Sequence, residues 1–409
     1  MSNLFEGWDK EKLAVAAENI HDPTFDVCDK YYQLGSAESK RRFPFNLNPW
    51  KERSRSGLLQ KGEYANGVPG NNKGKSGLKS LYFRLLHFTG LYHYKRRYRL
   101  SRELLLWIKE FSPDIIYSQL SSIELIGLVK EIHKKLDVPI AIHIMDDWPL
   151  SISKSGLFKS YWRNAIDKQF RQLISKAKVL MSISEAMSNE YMSRYGYKFV
   201  PFHNPIDLEF WTRYSKRNYA IDDTFTILYA GRIGVGIENS FFDIAEAVGD
   251  LNAKGLKIRF HIQATNSNPV LDELSKFTFI TINPTVPYSE LPRVFSQADV
   301  LLLPNDFDRT SRAFLKYSMP TKASEYMISG TPILLYSSAE TAVTSHALKY
   351  NWAYVVSEKK NEALKSAITE LYERRDLRTA LGNTARDYAI NNYDGALIRE
   401  QFRKAFILD

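Results

Sequence analysis

A single cysteine, Cys28, occurs in the 409 residues. No internal disulfide is possible, and a reducing, cytoplasmic compartment is expected. No run approaches the ~18 uninterrupted apolar residues of a membrane-spanning helix. The opening residues, MSNLFEGWDKEK, lack a basic stretch followed by an apolar one, so they do not read as a secretory signal. Short repeats of the solenoid kind are also missing. What is present is the composition of a globular protein, with 44% hydrophobic and 25% charged residues. That suffices for two cores, and the length allows two or three domains.

Charge is uneven. The chain carries a net +10, yet Trp50 to Arg102 alone holds thirteen Lys/Arg against Glu52 and Glu63. Residues 51–80 are rich in Gly, Asn and Lys without periodicity and read as a flexible basic insert. Residues 81–111 read as helical and aromatic, with Leu81, Leu85, Leu86 and Phe88 near helical spacing and Lys95 to Arg99 interrupting them. Such a segment suits an anionic membrane surface; a solvated loop followed by an ordinary core helix is the plainer alternative. Nucleic acid is not expected, because no recognised motif accompanies the charge.

From Pro113 onward short apolar strands alternate with amphipathic helices. DIIYSQL, PIAIHIM and KVLMSI read as strands in the first half; FTILYAG, LKIRFHI, FTFITI, DVLLLP, PILLY and WAYVV follow in the second. This alternation predicts α/β architecture with parallel sheets covered on both faces. A polar spacer at 213–224 separates the halves. The expected domains are therefore 1–205, 206–380, and a closing helical segment, 381–409.

The run from Pro320 to Leu335, PTKASEYMISGTPILL, is the most informative stretch. Pro favours the first helical position, and Gly330 suits the left-handed residue that ends a helix. Lys322 and Glu325 are three apart and share one helix face. A helix N-terminus with a Lys in its first turn can hold an anion, and a Glu one turn deeper can accept two hydrogen bonds from a vicinal diol. Phosphate beside ribose is what a sugar nucleotide presents. By itself, a Lys–Glu pair at this spacing is as readily a solvated face. Further upstream, Gly231-Arg232 follows a strand directly, at the edge where α/β sheets bind ligands. A glycine there lets phosphate approach the backbone, although a tight turn with a solvated Arg has the same letters.

K-x-x-E-Y-M-x-S-G-T-P-I, preceded by YSELPRVFSQADVLLLP and ILYAGRIG, resembles the C-terminal half of family 4 glycosyltransferases of the GT-B fold. The likeness is good from Phe225 to Ile390 and looser from Pro113 to Asp207. It implies two doubly wound, Rossmann-like domains facing a cleft, with a last helix that returns toward the first domain. It also implies that Gly231, Arg232, Lys322 and Glu325 bind the donor. His143, Asp146 and Asp147, after the strand PIAIHIM, would line the acceptor side and the reacting centre. A core histidine and an Asp-rich turn are the alternative for these three. No metal or cofactor is implied, since GT-B enzymes mostly manage the diphosphate with cations and helix dipoles. Two positions depart from the family pattern: Ile237 stands where a Lys is common, and Tyr317 where a first Glu is common. Arg309 and Arg312 are weaker phosphate candidates, and Asp306-Phe307-Asp308 reads as a loop, not a metal motif. The family also places a strand and a Gly-rich loop before the first helix here, so the first sheet is expected to lack a member.

The function implied is a retaining glycosyltransferase. It would use a nucleotide-diphosphate sugar and a glycan or lipid-linked acceptor, in surface polysaccharide synthesis and possible contact with a membrane. A GT-B sugar-nucleotide 2-epimerase and a non-catalytic nucleotide-sugar-binding protein are the alternatives.

Overall fold

A computed structural model describes residues 2–47 (apart from 19, 21, 22 and 24), 54–59, 77–151, 156–264 and 267–407. The chain divides into two compact units. One comprises Met1–Ser182, Ser188–Val200 and Phe402–Asp409; the other comprises Ile183–Met187 and Pro201–Gln401.

In the first unit the strands are β1 (Ala14–Ala17), β2 (Lys30–Gln33), β3 (Ser39–Arg41), β4 (Gly57–Leu59), β5 (Arg96–Tyr98), β6 (Ile116–Gln119), β7 (Ile140–Ile144) and β8 (Val179–Ser182). They are followed by β9 (Val200–Pro201). They form three sheets: β1-β2-β4, β3-β5 and β6-β7-β8-β9. Parallel pairing joins β6 to β7 and β7 to β8. All five residues of β7 are buried, as expected for a strand covered on both faces. Among the described residues β1 and β6 are both edge strands.

This region differs from its sequence reading. Lys95 to Arg99 do not interrupt a helix; Arg96–Tyr98 form β5, antiparallel to β3, with Tyr98 opposite Ser39. Pairing with a distant segment overrides the local pattern. Most of the basic insert lies outside the described residues, but Gly57–Leu59 pair with β2.

The second unit contains one parallel sheet of β10 (Phe225–Gly231), β11 (Ile258–Ala264), β12 (Ile280–Asn283), β13 (Val300–Pro304), β14 (Ile333–Tyr336) and β15 (Tyr354–Val356). The order β12-β11-β10-β13-β14-β15 places β10 and β13 at its centre. Phe225, Ile227 and Tyr229 of β10 share a core with Phe241, Ile244 and Val248 of the helix Glu238–Ala253. Each such side chain contributes roughly 1.5–3 kcal/mol by leaving water. The strand order reverses beside β10, so ligands are expected at its C-terminal end.

Candidate active site

β10 ends at Gly231, and the helix Thr321–Ile328 packs against that end. Pro320 occupies the N-cap position, one residue earlier than the sequence suggests, and Gly330 adopts the left-handed conformation at φ 70°. Tyr326, fully buried on this helix, accepts from the Ala230 amide at 2.9 Å and donates to the Ala230 carbonyl at 3.2 Å. One phenol thus satisfies both backbone groups of a strand-end residue and fixes the helix against the strand.

Lys322 is held at the same corner. Its Nζ donates to the Tyr229 hydroxyl at 2.8 Å and lies 4.0 Å from that ring's centroid. The Tyr229 hydroxyl in turn donates to the Arg232 carbonyl at 2.6 Å. Gly231 closes the corner with φ +138°, where a Cβ would stand 2.6 Å from Lys322 Nζ. The backbone conformation favours glycine, and any side chain here would displace the flexible end of Lys322. Lys322, Gly231 and the Arg232 backbone therefore meet at one point, while the Arg232 side chain is exposed.

Glu325 lies one turn deeper and is half-buried. The Tyr288 hydroxyl donates to it at 3.4 Å, and Trp211 Nε1 donates to Tyr288 at 3.3 Å. Tyr288 also stacks on Phe210 at 5.4 Å. Burial lifts the Glu325 carboxyl to about 7, against the Tyr288 hydrogen bond and Lys322. Burial likewise lowers the Lys322 ammonium to about 7, with Glu325 opposing the shift. A bound anion would favour the charged lysine, and ligand hydroxyls would favour the charged glutamate.

The neighbouring positions are committed to structure. Asp306 accepts from the Asn239 amide, the Asn239 side chain, and the Ser240 amide and hydroxyl, capping the helix Glu238–Ala253. Ile237 stands at that helix's N-cap without capping it. Asp308 caps the helix Arg309–Leu315 through Thr310 and Ser311. Arg312 pairs with Glu340 at 3.0 Å, whereas Arg309 is exposed.

The three residues expected on the acceptor side separate sharply. His143, in the middle of the sheet, has no exposed surface, and its Nδ1 is 2.7 Å from the Tyr117 hydroxyl. Burial holds its imidazole down to about 4. Phe402 packs nearby, within a cluster of Phe5, Tyr117 and Phe406. His143 thus has the surroundings of a core histidine, the alternative weighed for it from the sequence. Asp147 is engaged as well: both carboxylate oxygens receive Arg194, at 2.9 and 3.1 Å, and Tyr191 donates at 2.9 Å. A carboxylate that receives a mostly buried guanidinium and a phenol holds its loop in place. Asp146 alone of the three is exposed.

Tyr229, Tyr288, Tyr326 and Trp211 escape the sequence reading. On the strand and helix patterns they count as apolar positions, and only their hydroxyl and indole contacts reveal a polar task.

Comparison with known proteins adds the family. The model for glycosyltransferase family 4 matches residues 71–210, and that for glycosyl transferases group 1 matches residues 224–374. No match was found among curated proteins. Solved structures of similar fold include sucrose-phosphate synthase from Thermosynechococcus elongatus, at TM-score 0.59 and 12% identity. That likeness covers 74% of this chain and 75% of the other. Trehalose-6-phosphate synthase OtsA gives TM-score 0.57 at 13% identity, covering 75% of each chain. Anabaena HepE, solved with UDP-glucose, gives 0.54 at 12% identity over 75% of this chain and 82% of its own. At these identities the structural likeness carries the fold, and the two family models carry the family. The chain belongs to the family 4, group 1 glycosyltransferases, and it has their GT-B fold of two Rossmann-like domains.

Proposed function

We propose that the corner formed by Gly231, Arg232, Lys322 and Glu325 binds the diphosphate and ribose of a nucleotide sugar, and that the chain transfers the sugar with retention of configuration. The observation that carries this reading is the meeting of Lys322 with Gly231 beside a helix N-terminus. Phosphate oxygens reach the backbone where a side chain would block them, and a cation already waits there. Arg232, exposed beside that point, swings onto the same anion. Leaving-group charge is stabilised by these donors in place, with no metal required. Glu325, backed by Tyr288, takes the ribose diol. HepE, a protein of similar fold, was solved with UDP-glucose, which supports the donor class.

The acceptor is a glycan or a lipid-linked glycan in surface polysaccharide synthesis, approached by the chain as a peripheral membrane protein. Leu81, Leu85 and Phe88 share one face of the helix Gly77–Thr89 and are all more than half exposed, while Leu86 is buried. Among the described residues no helix is long and apolar enough to cross a membrane. An exposed apolar face beside basic residues suits an interface. Asp146 is the side chain proposed to orient the incoming hydroxyl.

The test is a thermal-shift screen across nucleotide sugars, followed by an assay for nucleoside diphosphate release with and without glycan acceptors. Release that depends on acceptor is expected. Conversion of the donor without acceptor would point to epimerisation, and tight binding without turnover to a binding protein; either would overturn the transferase reading.

A further inference from the structure

A cavity lies within the first unit, remote in sequence from the donor corner. Its volume is about 270 Å³, and Arg42, Arg96 and Arg97 line it together with Tyr94, Tyr161 and Trp162. The arginines come from β3's continuation and from β5, whose antiparallel pairing brings the two segments to one wall of the cavity. The Arg42 guanidinium lies over the Tyr94 ring at 4.8 Å, yet its Nε is buried without a hydrogen-bond partner among the described residues. Leaving such a donor unmet costs stability. Arg96 reaches Glu18 only at 3.8 Å. Glu124 is the carboxylate in the lining, half-buried and pushed toward its neutral form by burial. Three arginines around one hollow suit an anion with several oxygens, which forked guanidinium groups bind in pairs.

The cavity adjoins an apolar surface built from two elements. Trp162 Nε1 donates to the Thr89 carbonyl at 3.1 Å, and the Leu157 amide donates to the Phe88 carbonyl at 2.7 Å. Gly90 makes this approach possible, because a Cβ there would stand 2.3 Å from the Trp162 ring. The exposed face of the helix Gly77–Thr89 is thereby joined to Leu157, Phe158 and Tyr161, which are exposed as well. The cavity is smaller than the roughly 300–1,000 Å³ of sites that enclose a whole drug-sized ligand. It fits a headgroup and leaves a tail outside, where the apolar face begins.

We propose that this cavity binds the phosphate-bearing headgroup of a membrane amphiphile, whose tail lies along Leu85, Phe88, Leu157 and Phe158. As the acceptor's anchoring site this rests on the transferase reading above; as a binding site it stands on the cavity alone. The experiment uses the full chain with farnesyl diphosphate and, in parallel, inorganic diphosphate, followed by calorimetry in excess UDP. Farnesyl diphosphate should bind despite UDP. Arg42→Gln and Arg97→Gln should each weaken it about tenfold or more, as loss of a charged hydrogen bond does. Leu85→Asp should weaken farnesyl diphosphate but not inorganic diphosphate. Equal affinity for both probes would make this a free-anion site and overturn the amphiphile. Binding that survives both arginine variants, or is displaced by UDP, would place the probe elsewhere and overturn it too. Nucleotide-sugar stabilisation should be unchanged in all three variants, so failure here and failure of the donor site are told apart.

Discussion

The Lys322 ammonium lies 4.0 Å from the centroid of the Tyr229 ring and 2.8 Å from its hydroxyl. The lysine amino group is therefore held on an aromatic face and a phenol oxygen, not on a carboxylate. An incoming phosphate can take it without first breaking an ion pair. Lys322→Met is expected to lower nucleotide-sugar affinity about tenfold or more, in line with the loss of a charge-assisted hydrogen bond. Calorimetric titration with the donor checks this, and unchanged affinity would remove Lys322 from the site.

Proton linkage gives a second test. Lys322 titrates near 7 and not at 10.5, so between those values the unfolded chain binds a proton that the folded one lacks. Stability from this group rises with pH across that window. Glu325 titrates near 7 and not at 4.5, so there the folded chain holds the extra proton and stability falls as pH rises toward 7. Relative to Lys322→Met/Glu325→Gln, the unliganded wild type should be least stable near neutrality and gain on both sides. Donor binding should take up protons above pH 7, as Lys322 recharges, and release them below, as Glu325 ionises. Denaturant melts and calorimetry in buffers of different ionisation enthalpy measure both signs; a pH-independent difference would contradict the pair.

Glu325→Ala should weaken donor binding and leave the fold intact. Its carboxylate has no ion-pair partner within 4.0 Å among the described residues, so little native structure is lost. A nucleoside diphosphate lacking both ribose hydroxyls should bind wild type and variant alike. A variant that discriminates as strongly as wild type would assign the diol elsewhere.

Gly231→Ala should fail twice. The backbone conformation at φ +138° costs a side-chain-bearing residue about 1–3 kcal/mol. The methyl group also stands where Lys322 Nζ does, and a flexible lysine yields by leaving its place. Thermal unfolding and donor titration should both register the change; a variant with native affinity would show that the glycine serves the turn alone.

The two neighbouring aspartates should separate by measurement. Asp147→Asn removes half of a buried pair with Arg194 and is expected to cost about 3 kcal/mol or more, seen as a lower unfolding midpoint. Asp146→Asn should cost far less stability than Asp147→Asn and should reduce transfer. Equal destabilisation by both would end the case for Asp146 at the acceptor.

How far all this could be read from the chain differs between its halves. In the second unit each strand follows a helix of the right period, and neighbours in the sheet are mostly near in sequence. Lys322 and Glu325 were legible because i,i+3 spacing is a local rule. Tyr229 and Tyr326 were not, since a buried tyrosine matches the apolar pattern whatever its hydroxyl does. In the first unit Asp147 looks catalytic until Arg194 is brought to it by another helix. The pairing of Ser39–Arg41 with Arg96–Tyr98 spans the basic insert, and nothing in either tripeptide announces the other.

The packing of Phe402 and Phe406 against Phe5 and Tyr117 has a practical side. Residues 402–409 complete a unit whose other parts all precede residue 201. In genetic terms the second unit is nested inside the first. A deletion that stops at residue 401 would remove the aromatic layer over Tyr117 and His143 while leaving the donor corner untouched. Any attempt to prepare the first unit alone must splice that short strip back after residue 200, and the two halves cannot be exchanged between relatives by a single crossover.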